Sequence, residues 1–499
     1  MITKNSSSGS LSVDIRTRYP QLPIILILVA ATCVFFYKLG SEGVWIDELF
    51  SIRDASQFDS PIEVYKASRL RPLYYVLLSV WMRFGTSDVW LRSLSVIFAI
   101  VSVFLIYQLG KRVAGEAEGL IAASLLTVSP LFVNHAQEVR MYALSLCMGL
   151  AGSVFLANAL LTEPEQKPGQ KVIGSWALFR LLAILTVPLN LTLLIPDALL
   201  VLWRFRKQPG VIAHFALWTS LVLLLWVPAI APLLQDASST SDYAIEREDF
   251  AAAPGLGNLV YPLKFWMVYP FVVQGSRIAT IFYKLFTLPI AGLVGAGLIY
   301  KHRSPALVWS FAWFIIPLVP IVVFSMVAAR IWEPRYVLFV SPYLFILIAA
   351  GFTRLWKEWR VAAIAAIAIY TVGTAGALHH YYSVQNRADY RANIETIEQY
   401  EQPGDAVVWG HDYVLALDHY YDGPSNVYQL SGRDIDTPEE LRQWINQFPT
   451  GYDRIWFVIE DFRYVQRNFE EIITEKYSIE EMFKYDHRSA VVLLTSRFN

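Results

Sequence analysis

Two adjacent carboxylates follow the first long apolar run of the chain. Asp47 and Glu48 lie between Trp45 and Ser51, just after the run Leu22 to Leu39. Charges at the exit of a membrane helix are costly unless they face water or a functional site. A carboxylate at such a site could take a proton from a substrate hydroxyl. Neighbouring residues of a helix point about 100° apart, so only one of the pair could face a given site, and simple solvation explains the pair equally well.

Two later segments place arginines where an anion could bind. The first runs from Asn134 to Tyr142 and contains Arg140, and the second runs from Arg330 to Tyr336 and contains Arg335. A guanidinium matches phosphate oxygens through two parallel hydrogen bonds. The alternative for Arg140 is a side chain that snorkels to the headgroup level. The alternative for the second segment is an internal Arg–Glu pair.

The composition indicates an integral membrane protein. The 499 residues are 55% hydrophobic and 17% charged, with a mean hydropathy of +0.41, whereas soluble domains run at about 45–50% and about 25%. The net charge of −1 implies no nucleic acid or other polyanion as a partner. Cys33 and Cys147 lie inside apolar runs and are expected to be packing residues. No metal-ligand spacing links the histidines His135, His379, His380 and His411. A metal site would form only if they meet in the folded chain, and its metal is unknown.

The apolar segments predict about eleven membrane crossings, since a spanning helix needs roughly 20 apolar residues. Basic residues mark the cytoplasmic ends of membrane helices, and here they recur at every second loop. This alternation places the N-terminus inside and the C-terminus outside. The predicted crossings are 21–39, 90–110, 118–134, 141–160, 175–188, 189–203, 211–232, 278–300, 305–327, 336–353 and 361–378.

The number of predicted crossings depends on how two segments are counted. Residues 72–84 are apolar but short, and they predict a juxtamembrane or re-entrant helix on the outer face. Residues 175–203 are short for two crossings, but Pro188, Asn190 and Pro196 interrupt them, which favours a tight hairpin over one long helix.

The chain divides into three predicted regions. Residues 1–20 are a cytoplasmic tail before an uncleaved signal anchor, and residues 21–378 form the transmembrane domain with an outer catalytic loop at 40–89. Residues 379–499 contain many charges and no spanning run, and they predict a small soluble α/β domain outside the membrane. Its buried strands are expected at 406–409, 455–459 and 490–494, and a helix is expected at 437–448.

Several ordered motifs carry a resemblance to a known class of enzymes. They are Trp45–Glu48, Arg71–Tyr75 followed by Leu91–Ser95, Gly119–Ala123 through Pro130, Gln137–Leu144, and Pro334–Tyr336. In this order the chain resembles the GT-C class of membrane glycosyltransferases. More narrowly, it resembles the bacterial branch of glycosyltransferase family 39, which includes lipid A aminoarabinose transferases and protein O-mannosyltransferase-like enzymes. The motifs cover most of residues 35–150, with a thinner echo at 330–350.

The resemblance implies a GT-C fold and a sugar donor linked to polyprenyl or dolichyl phosphate. It implies inversion at the anomeric carbon on the outer face, with Asp47 at the position of the family's catalytic aspartate. Beside it, we expect Glu48 to orient the donor or the acceptor. The residues before Pro72 depart from the family pattern, so Arg71 or Arg69 is expected to serve the donor phosphate in place of a metal or acceptor role of that loop. No cofactor is required, although a divalent metal is possible. The proposed donor-phosphate residues are Arg71, Arg140, Arg335 and Lys264, and the other site candidates are Arg69, Tyr74, Gln137, Glu138, Tyr142, Arg330 and Tyr336.

The sequence therefore predicts a multi-pass enzyme of the cell (inner or plasma) membrane with an extracytoplasmic active site. Its partners are the bilayer, the polyprenyl-phosphate-sugar donor, and a lipid, protein or polysaccharide acceptor. One alternative is a transporter or flippase of lipid-linked saccharides, which predicts internal symmetry and polar residues near mid-membrane. Only Asn190 and Asp197 fit that description, and the sequence has no repeat. Another alternative is a non-catalytic envelope scaffold whose outer domain binds glycan or protein.

Overall fold

The computed structural model describes two compact units. The described residues are 19–68, 71–163, 166–235, 259, 262, 266–267, 289–299, 304–327, 331–384, 387–411, 413–432, 435–459, 463–485 and 489–497. The first unit comprises Met1–Tyr37, Phe58–Gly85 and Trp90–His380. The second unit comprises Lys38–Gln57, Thr86–Val89 and Tyr381–Asn499. The first part of the loop after the first helix thus groups with the C-terminal region.

Helices dominate the chain up to residue 400. They are α1 (Leu22–Phe36), α2 (Ile46–Ser56), α3 (Pro61–Ala67), α4 (Pro72–Met82), α5 (Asp88–Val113), α6 (Glu116–Thr127), α7 (Pro130–Ala136), α8 (Tyr142–Leu160), α9 (Gln170–Thr186), α10 (Leu194–Arg204), α11 (Pro209–Gln235), α12 (Pro289–Ile299), α13 (Leu307–Ile315), α14 (Leu318–Val327), α15 (Ser341–Glu358), α16 (Arg360–Ser383) and α17 (Tyr390–Tyr400). Short 3-10 helices cover Pro188–Leu193 and Leu338–Val340.

The first unit is a bundle of apolar helices typical of a membrane protein. Within the described ranges, six helical segments are long and apolar enough to cross a membrane, or seven if the bent pair α6 and α7 forms one span. α1, α4 and α12 are shorter apolar helices. The polytopic helical fold is confirmed, whereas eleven crossings and the N-in, C-out orientation remain predictions.

The predicted crossing 118–134 is a broken helix. α6 ends at Thr127, α7 begins at Pro130, and the two axes differ by 64°. Pro130 causes the break, because proline cannot donate a backbone hydrogen bond inside a helix but fits at the first helical position. The break directs the chain into a buried turn at residues 137–141, between α7 and α8.

The segment 175–203 also bends, as its prolines predict. α9 ends at Thr186, and a 3-10 helix then leads into α10. Asn190 stabilises this bend, because its Nδ2 donates to the Val187 carbonyl at 3.0 Å and to the Ser145 hydroxyl at 2.7 Å. Whether each arm crosses the membrane remains a prediction.

A buried ion pair joins four helices of the first unit. Arg180 of α9 and Asp197 of α10 are 0% and 1% exposed, and their closest atoms, Nε and Oδ2, are 2.6 Å apart. The same carboxylate accepts from the indoles of Trp176 and Trp313, each at 2.8 Å. Arg180 also donates to the Gly149 carbonyl of α8 at 2.7 Å. A charge buried in this way needs such a complete set of partners.

The second unit contains a five-stranded mixed sheet. Its elements are β1 (Ala406–Trp409), α18 (Leu415–Tyr420), β2 (Asn426–Gln429), α19 (Pro438–Ile445), β3 (Arg454–Ile459), α20 (Arg463–Ile473), β4 (Tyr477–Phe483) and β5 (Ala490–Ser496). The strand order is β2-β1-β3-β5-β4. β1 pairs in parallel with β2 and β3, and β5 pairs antiparallel with β3 and β4. Aromatic side chains fill the core on one face, where the Phe457 ring lies 4.7 Å from Phe469 and 5.5 Å from Trp444.

The predicted α/β character of the C-terminal region is confirmed by these elements. β1, β3 and β5 coincide with the three predicted strands, and α19 lies inside the predicted helix. A capping box between Thr437 and Glu440 begins α19. Hydrogen bonds from the backbone of Asp436 and from Thr437 hold the pKa of Glu440 below its usual range.

We predict that Asp197→Asn destabilises the protein strongly. The amide preserves the shape of the side chain but leaves the buried Arg180 charge unpaired, which costs roughly 3–5 kcal/mol. Thermal unfolding of the detergent-solubilised protein measures the loss. Glu358→Gln is the matched control, because it breaks the partly exposed pair with Arg354, a type worth about 0–1 kcal/mol. Equal shifts in the two variants would contradict the central role of the buried pair.

Candidate functional site

The two carboxylates lie at the start of α2, where their environments differ. Glu48 is fully buried, and its Oε2 accepts a hydrogen bond from the Trp45 backbone N–H at 3.2 Å. It thus satisfies one of the N–H groups left without a partner at a helix start. Asp47 is only half-buried. Both charges are favourable near a helix N-terminus, but the Glu48 carboxylate serves the helix, and Asp47 is the more accessible acid.

α2 is anchored within the second unit. Its Leu49, Ile52 and Ala55 are buried, and it packs against α18. The ring of Phe50 meets the edge of the Tyr413 ring at 4.8 Å. The residue before the helix cap, Val44, donates its backbone N–H to the Tyr420 hydroxyl at 2.8 Å. The position of Asp47 is therefore set by contacts to the C-terminal region.

The buried turn at 137–141 holds the end of α1 in the first unit. The Gln137 side-chain Nε2 donates to the carbonyls of Phe35 and Tyr37, each at 2.8 Å. Carbonyls at a helix C-terminus lack partners within the helix, so Gln137 acts as a cap from a distant part of the chain. This contact gives Gln137 a structural role, and its predicted place in the site remains a prediction.

Glu138 organises the same turn. Its two carboxylate oxygens bond to Asn134 Nδ2 at 3.0 Å and to His135 Nδ1 at 2.7 Å, and all three residues are buried. The His135 ring lies 4.5 Å from the Tyr142 ring. The sequence pattern indicated no role for His135 other than that of a metal ligand. In the structure it connects Glu138 to Tyr142.

Three arginines gather around Tyr142 in the first unit, and we call Arg71, Arg140, Arg335 and Tyr142 the arginine cluster. The charges of all three arginines are within electrostatic range of the Tyr142 hydroxyl. The Arg140 guanidinium carbon lies 5.9 Å from the Tyr142 ring centre. Tyr336 joins the group, since its ring lies 6.4 Å from Tyr142 and 5.2 Å from the Arg335 guanidinium. Residues far apart in sequence thus form one cationic site.

Two members of the arginine cluster have a polar group that the described residues leave available to a ligand. Arg71 is half-buried, and no carboxylate among the described residues lies within 4.0 Å of its guanidinium. The Tyr142 side chain is 3% exposed, and its hydroxyl has no hydrogen-bond partner within the part of the chain that the structure describes. Buried polar groups without partners are rare unless a ligand supplies the partner. The cluster is therefore suited to an anion.

Neighbouring hydrogen bonds hold the cluster in place. The Ser95 hydroxyl donates to the Arg140 carbonyl at 3.2 Å, and it lies 3.4 Å from the Tyr74 hydroxyl. The Ser325 hydroxyl accepts from the backbone N–H groups of Ile331 and Trp332, both at 3.1 Å. These bonds fix the segment that leads to Arg335. Tyr74 is thus a support of the site through Ser95.

Three predicted site residues lie outside the described residues, namely Arg69, Lys264 and Arg330. Within the described ranges, no three His, Cys, Asp or Glu side chains gather in a way that could hold a metal ion. The structure thus brings together Arg71, Arg140, Tyr142, Arg335 and Tyr336 in the first unit, and it places Asp47 and Glu48 in the second.

Comparison with known proteins shows the fold. No family model matches the sequence, and no curated protein matches it. The structure resembles ArnT from Cupriavidus metallidurans bound to undecaprenyl phosphate, with a TM-score of 0.54 and 14% identity over 95% of this chain and 98% of that one. It also resembles the Archaeoglobus fulgidus oligosaccharyltransferase tethered to an acceptor peptide, with a TM-score of 0.55 and 11% identity over 96% of this chain and 74% of that one. The fold is that of the GT-C glycosyltransferases, as the motifs predicted, and the narrower placement in family 39 remains a prediction.

We predict that Tyr142→Phe leaves stability nearly unchanged, within about 0.5 kcal/mol, because the lost hydroxyl has no hydrogen-bond partner among the described residues. Tyr343→Phe is the matched control, since its buried hydroxyl bonds to Ser153 at 2.7 Å. Loss of that bond removes one of the two partners of the buried Ser153 hydroxyl, which still accepts from Arg180 Nη2 at 2.8 Å, and costs about 1 kcal/mol. Thermal unfolding of both variants distinguishes them. A comparable loss in Tyr142→Phe would show that the hydroxyl has a structural role.

Proposed function

We propose that the protein is an inverting glycosyltransferase that uses a polyprenyl-phosphate-linked sugar on the outer face of the cell membrane. The observation that carries the proposal is the arginine cluster, in which the Arg71 charge has no carboxylate within 4.0 Å among the described residues. A lipid phosphate is the anion that fits such a site in a membrane protein. The fold supports the same ligand class, because a similar ArnT structure holds undecaprenyl phosphate. Another similar structure, the oligosaccharyltransferase AglB, holds dolichol phosphate (TM-score 0.52, 12% identity).

The chemistry of the donor matches a cationic site. In the proposed reaction the bond between the sugar's anomeric carbon and the phosphate oxygen breaks, and its electron pair leaves with the phosphate. The polyprenyl phosphate gains a second negative charge as it leaves. Guanidinium groups placed beforehand stabilise this developing charge without needing to deliver a proton. In the proposal this role falls to Arg71, Arg140 and Arg335. The Tyr142 hydroxyl donates a hydrogen bond to a phosphate oxygen.

The acceptor needs a base. Its hydroxyl oxygen forms the new bond to the anomeric carbon, and we assign its proton to the Asp47 carboxylate. A positioned general base contributes roughly 10²–10⁴-fold to a rate. Glu48 takes a supporting role, since its buried carboxylate holds the start of the helix that carries Asp47. The acceptor class remains a lipid, a protein or a polysaccharide of the cell envelope.

A transport function has less support. Its best mid-membrane candidate, Asp197, accepts four hydrogen bonds from Arg180, Trp176 and Trp313. A carboxylate has about four lone-pair sites, so the protein itself occupies the group that a transported saccharide or a coupled cation would need. A scaffold function predicts no sugar transfer, and the same activity assay tests it.

We predict that Asp47→Asn lowers sugar transfer at least about 100-fold, because the amide cannot accept the acceptor's proton. The assay follows a labelled sugar from polyprenyl phosphate in membranes of a strain that lacks the gene and expresses each variant. Asp54→Asn is the matched control, since Asp54 lies on the same helix and pairs with Arg53 at 2.8 Å. It should keep most of the activity. Full activity of Asp47→Asn would rule out Asp47 as the base.

We predict that Arg71→Ala weakens binding of undecaprenyl phosphate roughly 10- to 100-fold, as expected for one charged hydrogen-bonding group worth about 1.5–3 kcal/mol. Binding to the detergent-purified protein is measured with undecaprenol as competitor, which separates tail binding from phosphate binding. Arg83→Ala is the control, because Arg83 is an exposed arginine of the same unit that donates to the Asp59 carbonyl. Unchanged affinity in Arg71→Ala would contradict the assignment of the cluster to the phosphate.

A further inference from the structure

An ionic network within the second unit joins the loop before Asp47 to the C-terminal region. Its centre is Asp88, the first residue of α5, which is 8% exposed. Its Oδ2 accepts from the Tyr420 hydroxyl at 2.8 Å and from Arg391 Nη1 at 3.2 Å. His419 Nε2 lies 3.6 Å from the other carboxylate oxygen. A nearly buried carboxylate is thus shared by α17 and α18.

The partners of Asp88 also grip the backbone of the loop. Arg391 Nη2 donates to the carbonyls of Gly40 and Ser41, at 3.1 and 3.2 Å. The Tyr420 hydroxyl accepts the backbone N–H of Val44 at 2.8 Å. Each of the two side chains therefore bonds at once to Asp88 and to the loop. Backbone contacts of this kind fix the path of the chain whatever the side chains of the loop.

Close packing and flanking contacts strengthen the same attachment. Gly43 lies against Arg391, so that a Cβ atom at position 43 would be only 2.9 Å from the Arg391 Cβ. The Lys38 ammonium donates to the Tyr382 carbonyl at 2.8 Å. Arg387 and Glu42 form a further pair at 3.9 Å. Residues 38–44 are therefore held along their length by Tyr382, Arg387, Arg391 and Tyr420.

We infer that Arg391, Asp88 and Tyr420 are positioning residues for Asp47, and that this is a function of the C-terminal region. The inference rests on the proposed role of Asp47 as the base. Val44 is held by Tyr420, Trp45 is the last residue before α2, and Asp47 is the second residue of that helix. Only two residues separate Val44 from Asp47, so a shift of the Val44 backbone also moves the Asp47 carboxylate. A misplacement of about 1 Å at a catalytic group can cost roughly 10²-fold in rate.

The expected effect of Arg391→Ala is a fall in kcat of roughly 10- to 100-fold with an unchanged KM for the donor, because the arginine cluster is untouched. Asp88→Asn should act in the same direction. Arg442→Ala is the matched control, since Arg442 is an arginine of the same unit whose guanidinium bonds instead to Glu475 at 2.9 and 3.0 Å. A kcat for Arg391→Ala equal to that of the control would overturn the inference.

A disulfide rescue separates positioning from general stabilisation. Gly43→Cys and Arg391→Cys are combined in a Cys33→Ser background, because Cys33 is an exposed free thiol. The 2.9 Å between the two Cβ positions must widen slightly to reach the roughly 3.5–4.5 Å of a disulfide. The reduced protein should be as slow as Arg391→Ala, and the oxidised protein should regain most of the wild-type kcat. Failure of the cysteines to pair, or pairing without recovery, would overturn the inference.

Hydrogen exchange of the same variants distinguishes this inference from the proposed function. Amides of residues 44–51 should exchange faster in Arg391→Ala than in the wild type and should recover protection in the oxidised double variant. This readout needs no substrate. Wild-type protection in Arg391→Ala would overturn the positioning role even if transfer is confirmed. Full transfer by Asp47→Asn would instead overturn the proposed base and leave the exchange result valid.

Discussion

The buried ion pair between Arg180 and Asp197 is the interaction on which the helical unit depends. Apolar helices in a membrane gain little from hiding their surfaces from lipid, so packing and hydrogen bonds decide which faces meet. The pair supplies those bonds, because Asp197 also binds the indoles of Trp176 and Trp313 while Arg180 binds α8. Gly152 provides the space for the Arg180 side chain, since a Cβ atom at position 152 would lie 2.9 Å from the guanidinium. One saturated charge pair thereby orients four helices.

The arginine cluster differs from the buried ion pair in how its charge is neutralised. Arg180 is fully buried and its charge is met by protein groups, so it needs no ligand. Arg71 is half-buried, acts electrostatically on the same tyrosine as two further arginines, and has no carboxylate within 4.0 Å among the described residues. Concentrated charge of one sign destabilises a protein, and in our proposal the phosphate of the donor supplies the counter-charge. Arg180 and Arg71 thus differ in whether a carboxylate of the described residues neutralises the guanidinium charge.

Sequence reasoning succeeded where one local pattern determines the outcome. β1, β3 and β5 are short buried apolar runs, and their hydrophobicity alone predicts strands. β2 is exposed along its whole length and β4 carries Glu480 and Glu481, so neither has the pattern of a buried strand. The partner of Asp197 was missed because nothing local links it to Arg180. The attachment of residues 38–44 to the C-terminal region was missed for the same reason, since Arg391 contacts Gly40 across 351 positions of sequence.

The different environments of Asp47 and Glu48 follow from the geometry of a helix start. Successive positions there point in different directions, so a buried Glu48 that caps the helix leaves Asp47 turned elsewhere and half-exposed. The base that we propose would lose precision on an unrestrained loop, because loops are more mobile than the elements they connect. Here the loop shares a compact unit with the C-terminal region and is bonded through its backbone at Gly40, Ser41 and Val44. The acid therefore sits on a helix whose start is fixed from both sides, by its own capping glutamate and by Tyr420.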